Sequence, residues 1–302
     1  MSFIEEVTMN IPVWQYPLTM GGYILLLLGL VELMRKQPKF ALVFWLLSLL
    51  SFPFWFEYLD GWFRWAKTLS VLLPTALVVG FARIAWMYKD NPHRFWQFFR
   101  GDWVLKFLYG ILFLNIAEAT LKDFATANYF NAICGVILCI TIPFPRYKHG
   151  ERVYWVIGKD KPNDLLFYST AAWNFLYTTW NMAFVYGEAG SYFAASMCIL
   201  IAAELYPVLK KRPELYIIAR VYTLAFHILV RSCSEVFVPL MDSGTWMNDN
   251  VLWTWGLINL ILHVPFAIWY FRNKRHSATK EPPFGNRPPP LAKDYPTSRA
   301  FA

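Results

Sequence analysis

The sequence predicts an all-α protein, a polytopic membrane helix bundle with about nine transmembrane helices. Of the 302 residues, 57% are hydrophobic and only 16% are charged, whereas about a quarter of the residues in a soluble domain are charged. Aromatic residues make up 19% of the chain and include 15 tryptophans, a residue that favours the interface between lipid and water. The apolar residues form continuous runs rather than alternating patterns, which is typical of membrane helices and not of a membrane β-barrel.

Nine apolar runs are each close to the ~20 residues that a helix needs to cross the hydrocarbon core. In chain order they are Val13–Met34, Phe40–Leu59, Ala66–Tyr88, Trp103–Leu121, Ala125–Ile142, Asp164–Tyr186, Ser191–Leu209, Leu215–Val238 and Val251–Phe271. The first ten residues contain Glu5 and Glu6 but no basic residue. They therefore lack the charged start of a cleavable signal peptide, and we expect the first helix to act as an uncleaved signal anchor.

The charges between the runs support both the number and the orientation of the spans. The gaps after the first, third, fifth and seventh runs, and the segment after the ninth, are rich in lysine and arginine. The gaps after the second, fourth, sixth and eighth runs are poor in basic residues. Because cytoplasmic loops carry the excess of basic residues, this alternation predicts an odd number of spans. It places the N-terminus outside and the C-terminus in the cytoplasm.

The chain divides into two parts at residue 276. We expect residues 1–276 to form a single transmembrane helical domain in the lipid bilayer of the plasma (inner) membrane. Residues 277–302 are rich in proline and polar residues, cannot bury a core, and are expected to form a disordered cytoplasmic tail. The net charge of +8 lies in short gaps between apolar runs, so no nucleic-acid partner is expected. The sequence does not predict an oligomeric state.

Polar side chains within the eighth run are the strongest functional candidates, because polar groups in hydrocarbon are costly. Arg220, Thr223, His227, Arg231 and Glu235 recur every three or four residues and would share one helix face. That face cannot lie against lipid, so we expect it to face other helices or a water-filled cavity. We also expect Arg231 to reach a carboxylate on a neighbouring helix.

Polar side chains from several runs are predicted to meet in the outer half of the membrane. These side chains are Glu57, Lys67, Asn115, Glu118, Asn128, Asn131, Asn181, Arg231 and Glu235. Their convergence predicts a polar cavity that opens outward and is closed toward the cytoplasm. In the inner half, we expect Glu204 to pair with Arg83 or Arg220 and to form a structural lock.

The sixth run carries Asn174 and Asn181 on one stripe, flanked by Trp173 and Trp180. One interpretation is a cavity wall with aromatic and amide groups for a ligand. The other is hydrogen bonding between packed helices, in which each bond contributes only ~1 kcal/mol. The sequence leaves both interpretations open.

The histidines and cysteines do not predict a metal or haem site. In the ninth run Asn259 and His263 lie four residues apart, and His263 could be imagined to pair with His227 around a haem. No spacing signature supports such a pair, and none of the four cysteines lies in a CxxC motif. We therefore expect packing histidines, no metal and no cofactor. His227 is also a candidate proton-relay group, because the charged Arg231 lies one turn away.

Three functions fit this pattern. A transporter of a small polar or anionic solute would use Arg231 as a counter-charge and Glu118 or Glu235 for proton coupling. An intramembrane enzyme acting on a lipid or isoprenoid-like substrate would use Glu57, Glu118 or Glu235 as general acid or base. In a scaffold or assembly subunit the polar cluster would be fully paired. Charges of both signs within the spans, without a recognisable catalytic motif, favour the transporter, and whether the protein is an enzyme stays open.

Overall fold

The structure is a computed structural model that describes residues 11–145, 153–159 and 161–274. Over these residues the chain is a bundle of helices with one short β-hairpin. The prediction of a helical membrane bundle is confirmed in this coarse form, because several long helices have the length and hydropathy needed to cross a membrane. The first ten residues and the predicted tail, residues 277–302, lie outside the described residues.

Thirteen α-helices follow one another in the described part of the chain. They are α1 (Gln15–Lys36), α2 (Pro38–Ser48), α3 (Phe52–Tyr58), α4 (Gly61–Leu73), α5 (Gly80–Met87), α6 (Arg94–Phe99), α7 (Trp103–Ala125), α8 (Tyr129–Thr141), α9 (Ala171–Ala189), α10 (Phe193–Lys210), α11 (Tyr216–Cys233), α12 (Phe237–Met241) and α13 (Asp249–Lys274). A π-helical turn, Pro74–Val79, joins α4 to α5. Strands β1 (Trp155–Ile157) and β2 (Leu165–Phe167) pair in antiparallel fashion between α8 and α9.

Seven stretches of the described residues are long and apolar enough to span a membrane. They are Gln15–Lys36, Pro38–Tyr58, Arg64–Met87, Trp103–Ala125, Ala171–Lys210, Pro213–Cys233 and Asp249–Arg272. The fifth stretch has 40 residues and consists of α9 and α10, which fold back on each other. Thr178 in α9 donates a hydrogen bond to Glu204 in α10. Helix α8 has 13 residues and extends about 20 Å, less than the ~30 Å of the hydrocarbon core. The count of nine spans and the orientation of the termini stay predictions.

The β-hairpin corrects the predicted start of the sixth span. That span was expected to begin at Asp164, but Leu165–Phe167 forms β2 and helix α9 begins only at Ala171. The Thr170 side chain accepts a hydrogen bond from the backbone N–H of Trp173 and so caps α9. A short apolar run in a buried strand looks like a helical turn in the sequence, which is why the expectation of helices alone missed this hairpin.

The end of α11 corrects the predicted end of the eighth span. The span was expected to reach Val238, but α11 ends at Cys233 and Ser234 is extended, with φ −167° and ψ 158°. Glu235 therefore lies beyond the helix, where it is exposed. The four-residue spacing between Arg231 and Glu235 does not place the two side chains on one helix face, because the helix stops between them.

Six helices form a ring around the centre of the molecule. Helix α4 packs on α11, α11 on α10, α10 on α9, α9 on α8, and α8 on α7. At Gly135 in α8, a Cβ would clash with Thr120 of α7 and lie 3.0 Å from the Trp180 ring of α9, so these three helices meet at a glycine. Helices α7 and α4, which would complete the ring, make little backbone contact.

The β-hairpin and Arg83 fill one end of the bundle. Trp155, Leu165 and Phe167 of the hairpin are fully buried. The Arg83 side chain is 1% exposed. It donates hydrogen bonds to four backbone carbonyls, of Met34, Arg35, Pro162 and Asn163, and to the Tyr222 hydroxyl. One buried guanidinium therefore joins the ends of α1 and α5, the hairpin and the middle of α11.

Asp164 in the hairpin loop carries the counter-charge at this end. Its carboxylate lies 3.4 Å from Arg35, 3.7 Å from Arg83 and 4.0 Å from Arg212. Burial raises the pKa of the Asp164 carboxyl, and the three guanidinium groups act in the opposite direction. The cluster holds this end of the bundle shut with ionic contacts between four segments of the chain.

Candidate functional site

A cavity of about 440 Å³ lies inside the ring of helices. This volume falls within the range of small-molecule sites in proteins. The cavity is lined along α11 from Ile217 to Ser232, a distance of about 22 Å along the helix axis. Seven of the ten side chains that the sequence singled out line it, namely Glu57, Asn115, Glu118, Asn181, His227, Arg231 and Glu235.

The cavity is open at one end and closed at the other. The lining side chains Glu57, Asp60 and Arg64, near the loop between α3 and α4, are exposed. At the other end, Leu165 of the β-hairpin is fully buried and Val79 is 1% exposed. The hairpin therefore forms a floor, with the Arg83 cluster beneath it.

Arg220 is the charged group nearest the floor. It is 8% exposed, and its Nε and Nη1 atoms have no hydrogen-bond partner among the described residues. Its Nη2 lies 3.5 Å from the Asn181 side-chain oxygen, the limit of a hydrogen bond. No carboxylate in the described part of the chain lies within 4.0 Å of it. A buried guanidinium without a counter-ion is unfavourable, so this position favours an anion.

The expected partner of Arg220 is engaged elsewhere. Glu204, which the sequence predicted to pair with Arg83 or Arg220, instead accepts a hydrogen bond of 3.0 Å from Thr178 in α9. That prediction was wrong because the α9–α10 hairpin supplies a hydroxyl donor within reach of Glu204. Neither arginine therefore depends on Glu204 for its charge.

His227 provides a second buried polar group with an unused atom. Its ring is 3% exposed, and its Nδ1 atom lies 3.2 Å from the Tyr23 hydroxyl of α1. Its Nε2 atom has no partner among the residues described. When the Tyr23 hydroxyl donates to Nδ1, the proton of the neutral imidazole is on Nε2 and is free to bind a ligand. His227 and Arg220 are seven residues apart, so they share one face of α11.

Arg231 lies nearer the open end and is held by an aromatic ring. Its guanidinium carbon is 3.8 Å from the centroid of the Tyr192 ring, which is a close cation–π contact. The expectation that Arg231 reaches a carboxylate on another helix was wrong for the described residues, because Tyr192, in the turn between α9 and α10, covers its guanidinium. Within the part of the chain that the structure describes, Arg231 forms no ion pair.

Among the described residues, five acidic side chains line the cavity, and two of them, Glu118 and Glu188, form ion pairs. Lys67 of α4 donates hydrogen bonds of 3.1 Å to both Asn115 and Glu118 of α7. Glu188 forms an ion pair with Lys122. Arg220 and Arg231 also line the cavity, and neither forms an ion pair with a carboxylate of the described residues.

Three of the sequence-predicted candidates do not reach the cavity. Asn174 accepts a hydrogen bond from Ser169 and donates one to the Pro213 carbonyl. Asn259 donates to Asn131 and accepts from Thr179. His263 is fully buried, and its Nδ1 atom lies 2.7 Å from the carbonyl of Asn259 in its own helix. These side chains contribute hydrogen bonds between and within helices rather than to the cavity.

Sequence reasoning did not include every group that matters here. Arg220 was recognised as part of a polar face but was assigned to the inner lock, and its position seven residues before His227 was the available signal. Tyr23 and Tyr192, which hold His227 and Arg231, gave no signal, because tyrosines are frequent in this chain. Among the described residues, no group of three or more His, Cys, Asp or Glu could hold a metal ion.

Comparisons with known proteins do not add to this geometry. The chain matches no protein-family model, no curated protein and no solved structure at the significance required. Function is therefore inferred from the cavity itself.

Proposed function

We propose that this protein is a membrane transporter that binds a small anionic solute in the cavity of the helix ring. The observation that carries the proposal is Arg220, a buried residue that lines the cavity and whose guanidinium has two nitrogen atoms without a partner among the described residues. A charge-assisted hydrogen bond typically contributes about 1.5–3 kcal/mol. An anion that accepts from Arg220 would therefore recover much of the cost of burying this charge.

The other groups in the cavity fit roles around such an anion. Arg231 adds a second positive charge nearer the mouth, and Asn181 and His227 add neutral hydrogen-bonding groups. Glu118 is a candidate for proton coupling, because protonation would neutralise it and weaken its ion pair with Lys67. Glu235 is the alternative proton acceptor at the exposed rim. The cellular membrane we propose is the plasma (inner) membrane.

An intramembrane enzyme acting on a lipid or isoprenoid-like substrate is the second candidate. It is favoured by the apolar walls of the cavity, which include Leu108, Leu112, Ile199 and Leu224. Glu57 and Glu235, two of the carboxylates that would serve as general acid or base, are exposed, whereas Arg220 is buried and has no ion-pair partner among the described residues. This difference in exposure favours ligand binding over acid–base chemistry as the main task of the cavity. A scaffold requires a fully paired cluster, and the unpartnered atoms of Arg220 count against it.

The test is uptake by the purified full chain in proteoliposomes. A panel of radiolabelled anions (acetate, lactate, phosphate and sulfate) is offered with and without a proton gradient. We expect uptake of at least one anion, reduced at least about ten-fold in Arg220→Met, because loss of one charge-assisted hydrogen bond costs about that factor. Arg94→Met is the control, since Arg94 is exposed and does not line the cavity.

Two results would contradict the proposal, the first by excluding transport of these anions and the second by excluding Arg220 as their binding group. One is wild-type uptake of the whole panel no faster than in empty liposomes. The other is uptake that Arg220→Met leaves unchanged. Lipid extracted from the same vesicles is analysed by mass spectrometry, and a new lipid product that requires Glu118 or Glu235 would favour the enzyme instead.

A further inference from the structure

The ring of helices around the cavity is open on one side. The pairs from α4 through α11, α10, α9 and α8 to α7 each make backbone contact, whereas α7 and α4 make little. Their side-chain link is Lys67, which bridges from α4 to Asn115 and Glu118 on α7. We call this gap the α4–α7 seam, lined on the cavity side by Ser70 and Pro74 of one wall and Leu108 and Ile111 of the other.

With both walls spanning the bilayer, the seam would lie at the depth of the hydrocarbon core. Both walls belong to stretches long and apolar enough to span a membrane, Arg64–Met87 and Trp103–Ala125. Ser70 lies about 9 Å along the helix axis from Arg64, and Ile111 lies about 12 Å from Trp103. Ser70 is exposed and Ile111 is half-buried. An opening at this depth faces lipid chains rather than water or headgroups.

The chemistry of the cavity has two parts that match one kind of molecule. The interior offers Arg220 and Arg231, which have no carboxylate partner among the described residues. The walls next to the seam are apolar, with Val71 and Pro74 on one side and Leu108 and Leu112 on the other. A small inorganic anion would use the charges and leave these walls unused.

We propose that the ligand of this cavity is an amphipathic anion, a single acidic headgroup on an acyl or isoprenoid chain, that enters from the bilayer through the α4–α7 seam. The headgroup binds Arg220 and the chain lies against the apolar walls of α4 and α7. This inference rests on the anion-binding cavity of the proposed function and names its substrate class. Lys67 and Glu118, with side chains 33% and 39% exposed, form a latch across the upper part of the seam.

The latch suits an element that must open. A partly exposed ion pair contributes at most about 1 kcal/mol, so it holds the two helices together without preventing separation. On the other side of the ring, α10 packs on both α11 and α1 and carries the small buried side chains Ala194, Ala195, Ala202 and Ala203. Close packing of small residues favours a fixed helix pair. The seam is therefore the side of the ring that opens at the lowest cost.

The test compares two kinds of probe, amphipathic anions and their isolated headgroups, on the full chain in nanodiscs. Radiolabelled oleate represents the amphipathic anion with a carboxylate headgroup and oleoyl lysophosphatidic acid the one with a phosphate. Acetate and phosphate represent the headgroups alone. Binding is measured by scintillation proximity, with Arg220→Met in the same nanodiscs as the background. We expect at least about ten-fold tighter binding of an amphipathic probe than of its headgroup, because the chain buries apolar surface.

A matched pair of variants then tests the route. Ile111→Trp narrows the seam, whereas Leu114→Trp places the same bulk three residues along α7, on a side chain that is 65% exposed and does not line the cavity. We expect Ile111→Trp to reduce amphipathic-anion binding at least about ten-fold and to leave headgroup binding within two-fold, with Leu114→Trp changing neither. Monodisperse elution of each variant checks that it folds.

A second measurement does not depend on added bulk. The double variant Lys67→Cys/Glu118→Cys is cross-linked with a short bifunctional methanethiosulfonate. The single substitutions Lys67→Cys and Glu118→Cys control for reaction of the native thiols. We expect the cross-link to block the amphipathic probe and a reductant to restore it, while the headgroup probe still binds through the mouth. Two results would overturn the inference and leave the anion site standing. One is binding of both amphipathic probes no tighter than that of their headgroups. The other is amphipathic binding that neither Ile111→Trp nor the cross-link reduces. Failure of wild type to bind any probe would overturn both.

Discussion

Replacing Arg220 with methionine should stabilise the ligand-free protein while removing its anion binding. Arg220 is 8% exposed, two of its nitrogen atoms lack partners among the described residues, and its remaining contact is 3.5 Å long. Methionine has a similar length and carries no charge. It would pack against Leu224 and Ile217, which line the same part of the cavity.

The size of the effect follows from what is lost and what is gained. Replacing buried ions with apolar side chains of similar volume often stabilises a protein by about 1–4 kcal/mol. The hydrogen bond to Asn181, at its limiting length, contributes less than about 1 kcal/mol. We therefore expect a net gain of roughly 1–3 kcal/mol in the free energy of unfolding. At about 2–4 °C per kcal/mol, the melting temperature should rise by several degrees.

The assay is thermal unfolding of the purified chain in nanodiscs, followed by tryptophan fluorescence, with and without an anion from the uptake panel. The anion should raise the melting temperature of the wild type and leave that of Arg220→Met unchanged, since binding to the folded state alone stabilises it. Arg94→Met should shift the free energy of unfolding by no more than about 0.5 kcal/mol, because Arg94 is exposed. A lower melting temperature for Arg220→Met would refute the reasoning, because it would mean that the wild-type guanidinium is already satisfied within the protein.

Three further substitutions test other parts of the account by the same unfolding measurement. Arg83→Met should lower the free energy of unfolding by about 3–5 kcal/mol, because it leaves several buried acceptors without a donor. A change near zero would mean that the hydrogen bonds of Arg83 do not hold the closed end of the bundle together. Gly135→Ala should cost about 1–3 kcal/mol, because its Cβ would clash with α7. Gly110→Ala, where nothing lies within 4 Å, should be neutral or stabilising, and equal losses would contradict the close α7–α8 packing. Asn131→Ala should cost about 1–3 kcal/mol, because Asp123 and Asn259 lose hydrogen bonds; Asn250→Ala, at an exposed position in the first turn of α13, is the surface control, and an equal loss there would argue against the network.

The two buried arginines give the sharpest contrast in these predictions. Arg83 and Arg220 are both almost fully buried, yet one has five acceptors and the other has one distant contact. The same change to methionine should therefore have opposite signs at the two positions. Matching signs would mean that burial, rather than the presence of partners, decides the effect.

Much of the fold could be predicted from the sequence, because long runs of apolar residues predict membrane helices. The polar face of α11 was also accessible, since Arg220, His227 and Arg231 recur at helical spacing within an apolar run. What the sequence could not supply was the end of the helix at Cys233. The backbone turns extended at Ser234 although the apolar run continues, so Glu235 was assigned to a helix that it does not join.

The contacts between distant segments were the part that periodicity could not predict. The β-hairpin depends on pairing Trp155 with Phe167 across a loop, and its strands are only three residues long. The cation–π contact of Arg231 with Tyr192 depends on the fold of the α9–α10 turn. Helices α4 and α7 make little backbone contact. A residue pattern within one helix carries no information about how closely that helix approaches each neighbour.

Whether the cavity binds an anion at Arg220 can be seen in a structure of the full chain in lipid nanodiscs. The resolution must show side chains and bound ligands. The measurement is the density around the Arg220 guanidinium. With an anion supplied, we expect density for it within hydrogen-bond distance of that group. Without one, we expect an open, hydrated cavity in which Arg220 is unpaired. A carboxylate of the protein paired with Arg220 in a closed, dry cluster would contradict both expectations.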